Sequence, residues 1–146
     1  MLYEQRKTPL PQLFVEAMKE KRIYNFVMNI FETALEEIKK EYPLRRMNQT
    51  YAQIEFLDFD YLFNGHDFIF IGVLYEDEKV ILTDFADYAP LCGWEEEDLP
   101  EVEKICQKHG ITFRNWTIEC LYQSNDDVKR YLECLFELRE KYSEGY

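Results

Sequence analysis

Three aspartates, Asp58, Asp60 and Asp84, are the side chains of this 146-residue sequence whose types and spacing come closest to catalytic chemistry. Asp58 and Asp60 stand two apart, and on a strand that spacing directs both to one face. Carboxylates converging on a hard cation, often with a lysine nearby, are what metal-dependent phosphodiester cleavage requires. Asp67 and Asp84 lie at the start and end of neighbouring apolar runs, and Asp77-Glu78-Lys79 copies an acid-x-Lys nuclease order. That order falls at an expected hairpin tip, the wrong place for the role. Solvated turn acids and strand-end caps account for these residues more simply, because short carboxylate patterns recur by chance.

Other chemistries have less to stand on. The two histidines are His66, in an expected turn, and His109, at an expected helix end. Ser124 is read as a helix cap and Ser143 lies in the tail. No Gly-x-Ser-x-Gly elbow or phosphate-cradling glycine loop is present, which argues against nucleophilic catalysis and nucleotide binding. Cysteines stand at 92, 106, 120 and 134, fourteen apart, but the segments between them share no repeat. Cys106-x-x-His109 supplies two zinc ligands without a second close pair in the sequence, so reduced, core-filling thiols are the expectation. Neither a metal nor a cofactor is expected.

These residues must be positioned by elements whose periodicity is readable. Leu10, Leu13, Phe14, Ala17 and Met18 follow helical spacing behind Pro11, and Ile23, Val27, Ile30, Phe31, Ala34, Leu35 and Ile38 continue in a shifted register. Either two helices or one kinked near Lys21-Arg22 would fit, ending near Tyr42-Pro43. From Tyr51 the period becomes two, predicting a strand with one wet face. Asn64-Gly65 signals a turn, Phe68–Tyr75 a central strand buried on both faces, Glu76-Asp77-Glu78 a second turn, and Lys79–Thr83 a third strand. Asp98, Pro100 and Glu101 announce a helix that Gly110 ends. Ile111–Phe113 and Thr117–Leu121 are expected short strands, and Ser124 caps a last helix with the stripe Val128, Tyr131, Leu132, Leu135, Phe136 and Leu138.

The expected fold is α+β: an antiparallel sheet, a three-stranded meander plus two short strands, with N-terminal, middle and C-terminal helices packed on it. Residues 1–146 make one domain, with a helical segment over 1–45 and an α+β body over 50–141. The N-terminus has no apolar signal core, and the longest apolar run, Phe68–Tyr75, is far too short to cross a membrane. A cytoplasmic protein is expected.

Charge is where the sequence is most uneven. The net is −12, but residues 1–50 carry +2, residues 51–103 carry −14 and the remainder is neutral. Fifteen acids, one base and eleven aromatics share the middle block. Direct nucleic-acid binding is disfavoured, since phosphate contacts need clustered Lys and Arg. The sharpest run, Glu95-Glu96-Glu97-Asp98, gains about 0.3–1 kcal/mol per acid ahead of a helix N-terminus, yet four adjacent like charges repel. It reads equally as a solvated loop or as an acidic docking edge with Trp94 as aromatic anchor.

The segment Asp67–Asp84, with His66-Asp67 before it and Leu82-Thr83-Asp84 at its end, resembles a family of uncharacterised bacterial and phage domains. Those domains carry a Gly/His-Asp strand, an acidic turn and Leu-Thr-Asp-Asp-Gly; here Phe85-Ala86 stand in place of Asp-Gly. The resemblance implies a bacterial or phage origin rather than an activity.

Together these readings predict a non-catalytic acidic binding or inhibitor protein of immunity or anti-defence type, with nucleic-acid mimicry as one version. Its partner would be a basic protein, a toxin or a nucleic-acid-handling enzyme, steered in by a one-signed surface. The expected contact residues are Asp58, Asp60, Asp67, Glu76, Asp77, Glu78, Trp94, Glu95, Glu96, Glu97 and Asp98. A metal-dependent nuclease or phosphoesterase using Asp58, Asp60 and Asp84 is the alternative. Self-assembly through the N-terminal helix is a third reading.

Overall fold

The computed structural model describes residues 30–51, 54–63 and 67–142, with the backbone alone over 45–51. The apolar stripe of residues 10–27, the Asn64-Gly65 turn, His66 and Ser143 lie outside the described residues.

Helix α1, seen here over 30–41, buries Phe31, Ala34, Leu35 and Ile38, the i, i+3, i+4, i+7 set of an amphipathic helix. Pro43 follows it, and six strands then form one sheet: β1 (Leu44–Tyr51), β2 (Ile54–Leu62), β3 (Phe68–Glu76), β4 (Lys79–Thr83), β5 (Thr112–Arg114) and β6 (Thr117–Leu121). Their spatial order is β1-β2-β3-β4-β6-β5, and every pairing is antiparallel. Three further α-helices lie among the described residues: α2 (Tyr88–Cys92), α3 (Leu99–Lys108) and α4 (Asn125–Tyr142). The fold is α+β, with the meander β2–β4 and the short pair β5–β6 where periodicity placed them.

Two features depart from expectation. The strand expected to begin at Tyr51 instead begins at Ile54, and Tyr51 ends an additional edge strand, β1. Its sequence, Leu-Arg-Arg-Met-Asn-Gln-Thr-Tyr, has no apolar alternation, so backbone pairing to β2 rather than side-chain patterning defines it. The central strand β3 is also not buried on both faces. Ile69, Ile71, Val73 and Tyr75 are buried, while Phe70 and Leu74 between them are half-buried.

That alternation separates the two faces of the sheet. Leu57 and Phe59 of β2, the odd residues of β3, Val80 and Leu82 of β4, and Ile118 and Cys120 of β6 form the inner face. It joins one core with Val102, Ile105 and Cys106 of α3 and with Val128, Tyr131, Leu132, Leu135 and Leu138 of α4. Helix ends follow local chemistry. Gly110, at φ 70°, terminates α3 with the Ile111 N–H donating to the Cys106 carbonyl at 2.9 Å. At the start of α4, Ser124 Oγ accepts the Asp126 N–H at 3.3 Å, and Asp127 Oδ2 accepts the N–H groups of Gln123 and Ser124 at 2.7 and 3.1 Å.

Candidate functional site

The acidic block does not form one cluster. Asp84 is buried and organises backbone, Glu55 is buried with one carboxylate oxygen unpartnered and its carboxyl raised by that burial, and most of the other acids are exposed.

Asp84 heads the buried set. Beyond Thr83 the chain leaves the sheet through a corner in which Phe85 and Ala86 both have positive φ, 50° and 64°. Asp84 is wholly buried beneath it. Its Oδ1 accepts the N–H groups of Ala86 at 3.0 Å and Ile118 at 2.9 Å, and its Oδ2 accepts that of Tyr88 at 3.1 Å. The Asp84 carbonyl accepts the Asp87 N–H at 2.9 Å, and Thr83 Oγ1 accepts the Phe85 N–H at 3.1 Å. Burial pushes the Asp84 carboxyl up to about 6 even though the three N–H groups favour its charged form. Such a carboxylate is a fixed acceptor for corner and sheet, with its oxygens engaged.

Tyr88 completes the corner. Its fully buried hydroxyl accepts the Phe70 N–H at 3.0 Å and donates to the Phe70 carbonyl at 2.9 Å. Gly72 pairs with Thr83, the last residue of β4, so Phe70 projects beyond the end of that strand. One phenol thus supplies the partner for both backbone groups that β4 leaves uncovered. The Tyr88 ring stacks on Phe70 with centroids 4.5 Å apart and packs against Phe63 at 4.9 Å. Phe85 folds over Gly72, where a Cβ would lie 2.8 Å from Phe85 Cε2 and 2.9 Å from the Thr83 carbonyl. The glycine in mid-strand is required by that close approach.

The three carboxylates that spacing offered for metal chemistry are not brought together as ligands. Asp58 is half-buried, Asp60 is exposed, and Asp84 is turned into the corner. Among the described residues no group of three or more His, Cys, Asp or Glu is placed to hold a metal ion. Cys106 does find a second pair, on the facing helix: its Sγ lies 3.8 Å from that of Cys134, and His109 Nε2 lies 2.8 Å from Glu137 Oε1. Each pair closes on itself, thiol to thiol and imidazole to carboxylate. Both thiols are wholly buried, as core fillers are.

The exposed acids occupy separate places. Glu76, Asp77 and Glu78 form the β3–β4 hairpin with Lys79, and Asp77 and Glu78 supply its two positive-φ residues. Asp67 lies just before the opposite end of β3, roughly 30 Å away at strand rise. Glu95, Glu96 and Glu97 are exposed around a single 3-10 turn before α3. Asp98 is half-buried, and its Oδ2 accepts the Glu95 N–H at 2.9 Å, so it serves that turn rather than capping α3.

Trp94 requires a correction. It was expected to stand out beside the acidic run as an anchor, but only 6% of it is exposed. Its ring packs edge-on against Phe113 and Tyr142, at 5.7 and 6.0 Å. A large apolar ring gains more from core burial than a short acidic neighbourhood can offset, so Trp94 leaves the set of contact residues.

Periodicity also missed a row on the second face of the sheet. Ile54 pairs with Leu74, Leu74 with Ile81, and Ile81 with Leu121, which sets four aliphatic side chains in one row across β2, β3, β4 and β6. Phe56 and Phe85, their rings 5.4 Å apart, lie beside the row. Leu121 is 43% exposed and Phe85 37%. Asp58 shares this face by alternation along β2, whereas Asp60 lies past the register irregularity that follows Asp58. The sequence signal was present in the even positions of β2 and β3, but only strand register aligns them.

Compared with protein-family models, curated proteins and solved structures, the chain matches none. No helix among the described residues is long and apolar enough to cross a membrane.

Proposed function

We propose that this chain is a non-catalytic binding protein of bacterial or phage origin, of the immunity or anti-defence inhibitor type, acting in the cytoplasm. It presents an acidic face carrying aromatic groups to a basic protein, a toxin or a nucleic-acid-handling enzyme. The observation that carries this reading is the division of labour among the acids. Asp84 is consumed by backbone hydrogen bonds, whereas Glu76, Asp77, Glu78, Glu95, Glu96 and Glu97 are left in water. Exposed like charges of this density stabilise the fold only modestly and repel one another, but they steer a cationic partner and discourage others. Phosphate mimicry is one form of the same proposal, with carboxylates entering a channel built for nucleic acid.

The test is capture of a purified basic candidate, or of proteins from the host, on the immobilised chain, followed by a salt gradient. Screening shortens from about 10 Å at 0.1 M to about 3 Å at 1 M salt, so a steered complex should release across that range. Replacing Glu95, Glu96 and Glu97 by Gln should move release to lower salt. A complex that survives 1 M salt and ignores the neutralised variant would remove the electrostatic reading.

A further inference from the structure

We propose that Cys106 of α3 and Cys134 of α4 form a latent disulfide site, which a small peroxide closes to lock the two helices together. The proposal does not depend on the acidic-binding reading. All four cysteines are free and buried, yet only these two meet: their Sγ atoms lie 3.8 Å apart although 28 residues separate them in the chain. Cys120 turns elsewhere, its Sγ lying 3.3 Å from the Leu121 carbonyl and 3.6 Å from Arg130 Nη2. A disulfide requires the two sulfurs to approach by roughly 1.8 Å more. Ion pairs on both sides of Cys106 already tie the helices in register. Lys108 Nζ and His109 Nε2 lie 3.0 and 2.8 Å from Glu137 Oε1, and Lys141 Nζ lies 2.9 Å from Glu101 Oε1.

The oxidant is hydrogen peroxide or another small neutral peroxide. One sulfur attacks a peroxide oxygen, the O–O bond breaks, and water leaves with the thiol proton, giving a sulfenic acid. The second sulfur then displaces the sulfenic hydroxyl, which departs as water with the second thiol proton. Two thiols and one peroxide become one disulfide and two waters, the sulfurs giving up two electrons to the peroxide oxygens. Contact with Cys106 and burial both raise the Cys134 thiol above its ordinary value, so the closed core reacts slowly. Local opening of α3, the shorter helix, admits the oxidant, and reclosure presses the second thiol against the sulfenic acid.

The test treats the reduced full-length chain with excess hydrogen peroxide, alkylates the remaining thiols in denaturant and maps the peptides by mass spectrometry. One cross-linked pair, Cys106 with Cys134, should appear, lighter by two hydrogen atoms, with Cys92 and Cys120 alkylated. Dithiothreitol should restore all four thiols. The oxidised protein should melt about 5 °C or more above the reduced one, because the closed loop restricts the unfolded chain. In Cys134→Ala no internal cross-link should form. Thiols that stay reduced while circular dichroism reports an intact fold would overturn the proposal and leave the pair as core filling. Parallel loss of all four thiols would also overturn it, since oxidation would then follow unfolding of the whole chain. An unchanged midpoint in the cross-linked protein would overturn the locking of α3 to α4.

Discussion

Strand β4 is bounded by two turns with nearly the same backbone and opposite chemistry. Before it, Asp77 and Glu78 have φ of 51° and 61°; after it, Phe85 and Ala86 have φ of 50° and 64°. Neither turn contains the glycine or asparagine that relieves such a conformation. In the hairpin the acidic side chains are those of the strained residues themselves and lie in water. In the corner the acid is the residue before them, wholly buried, and its carboxylate ties together positions 86, 88 and 118. The difference shows that local acidity is a poor guide to role. What separates a solvated charge from a structural one is whether backbone N–H groups converge on it.

The comparison would break first at Asp84. Asp84→Ala should leave three N–H groups without their acceptor in a buried site, a loss on the order of 3–5 kcal/mol. Asp77→Asn and Glu78→Gln should stay within about 0.5 kcal/mol of wild type. Urea unfolding of the three proteins decides it. If the corner and hairpin variants lose similar stability, the distinction between the turns fails.

Next in size is the pH dependence of the same carboxyl. Its folded-state value is raised to about 6, so the folded protein binds the proton more tightly than the unfolded chain does. The associated stability is fully present below the ordinary aspartate range and is lost as pH rises through about 6. Asp127 responds in the opposite direction. Burial would raise it, but Arg130 and the N–H groups of Gln123 and Ser124 bring it below its ordinary value, so its contribution is lost as pH falls. The difference in unfolding free energy, wild type minus Asp84→Asn, isolates the corner. It should shrink by on the order of 2–3 kcal/mol between about pH 4 and 7. A flat difference would mean that burial does not perturb this group.

How far these roles could be read beforehand depended on the range of the interactions behind them. The stripe of α4 and the Gly110 stop were legible because each depends on neighbours a few residues away. Asp84 was not, because its decisive partner, the Ile118 N–H, lies 34 residues along the chain. Phe85-Ala86 also carries none of the residue types that mark a positive-φ turn. β1 escaped because an edge strand can be held by its ladder without an apolar pattern. Trp94 was assigned outward from the charges beside it, whereas Phe113 and Tyr142, distant in sequence, draw it inward. The row on the second face lay hidden within continuous apolar runs until pairing register aligned it.

A smaller effect would sharpen the corner's upper half. Tyr88→Phe keeps the ring that stacks on Phe70 but removes the hydroxyl bonded to both its N–H and its carbonyl. A loss of about 1–3 kcal/mol is expected, with amide exchange at Phe70 accelerating more than at Leu74. Uniform acceleration along β3 would instead indicate that Tyr88 supports the whole strand by packing.

The smallest change should be a gain. Ala86 holds a left-handed conformation that costs an L-residue about 1–2 kcal/mol and glycine almost nothing. Ala86→Gly keeps the N–H that donates to Asp84 Oδ1 and removes only a half-buried methyl group. Relief of strain should exceed both the lost contact and the added freedom of the unfolded chain, for a net stabilisation of about 0.5–1 kcal/mol. Glu78→Gly, at the equivalent step of the hairpin, should gain a similar amount, because the backbone strain is the same there even though the carboxylate is not. Thermal unfolding of the two variants therefore separates geometry from charge. Equal gains assign the strain to the turn alone, whereas a loss at position 86 would show that the methyl group is part of what holds the corner over Asp84.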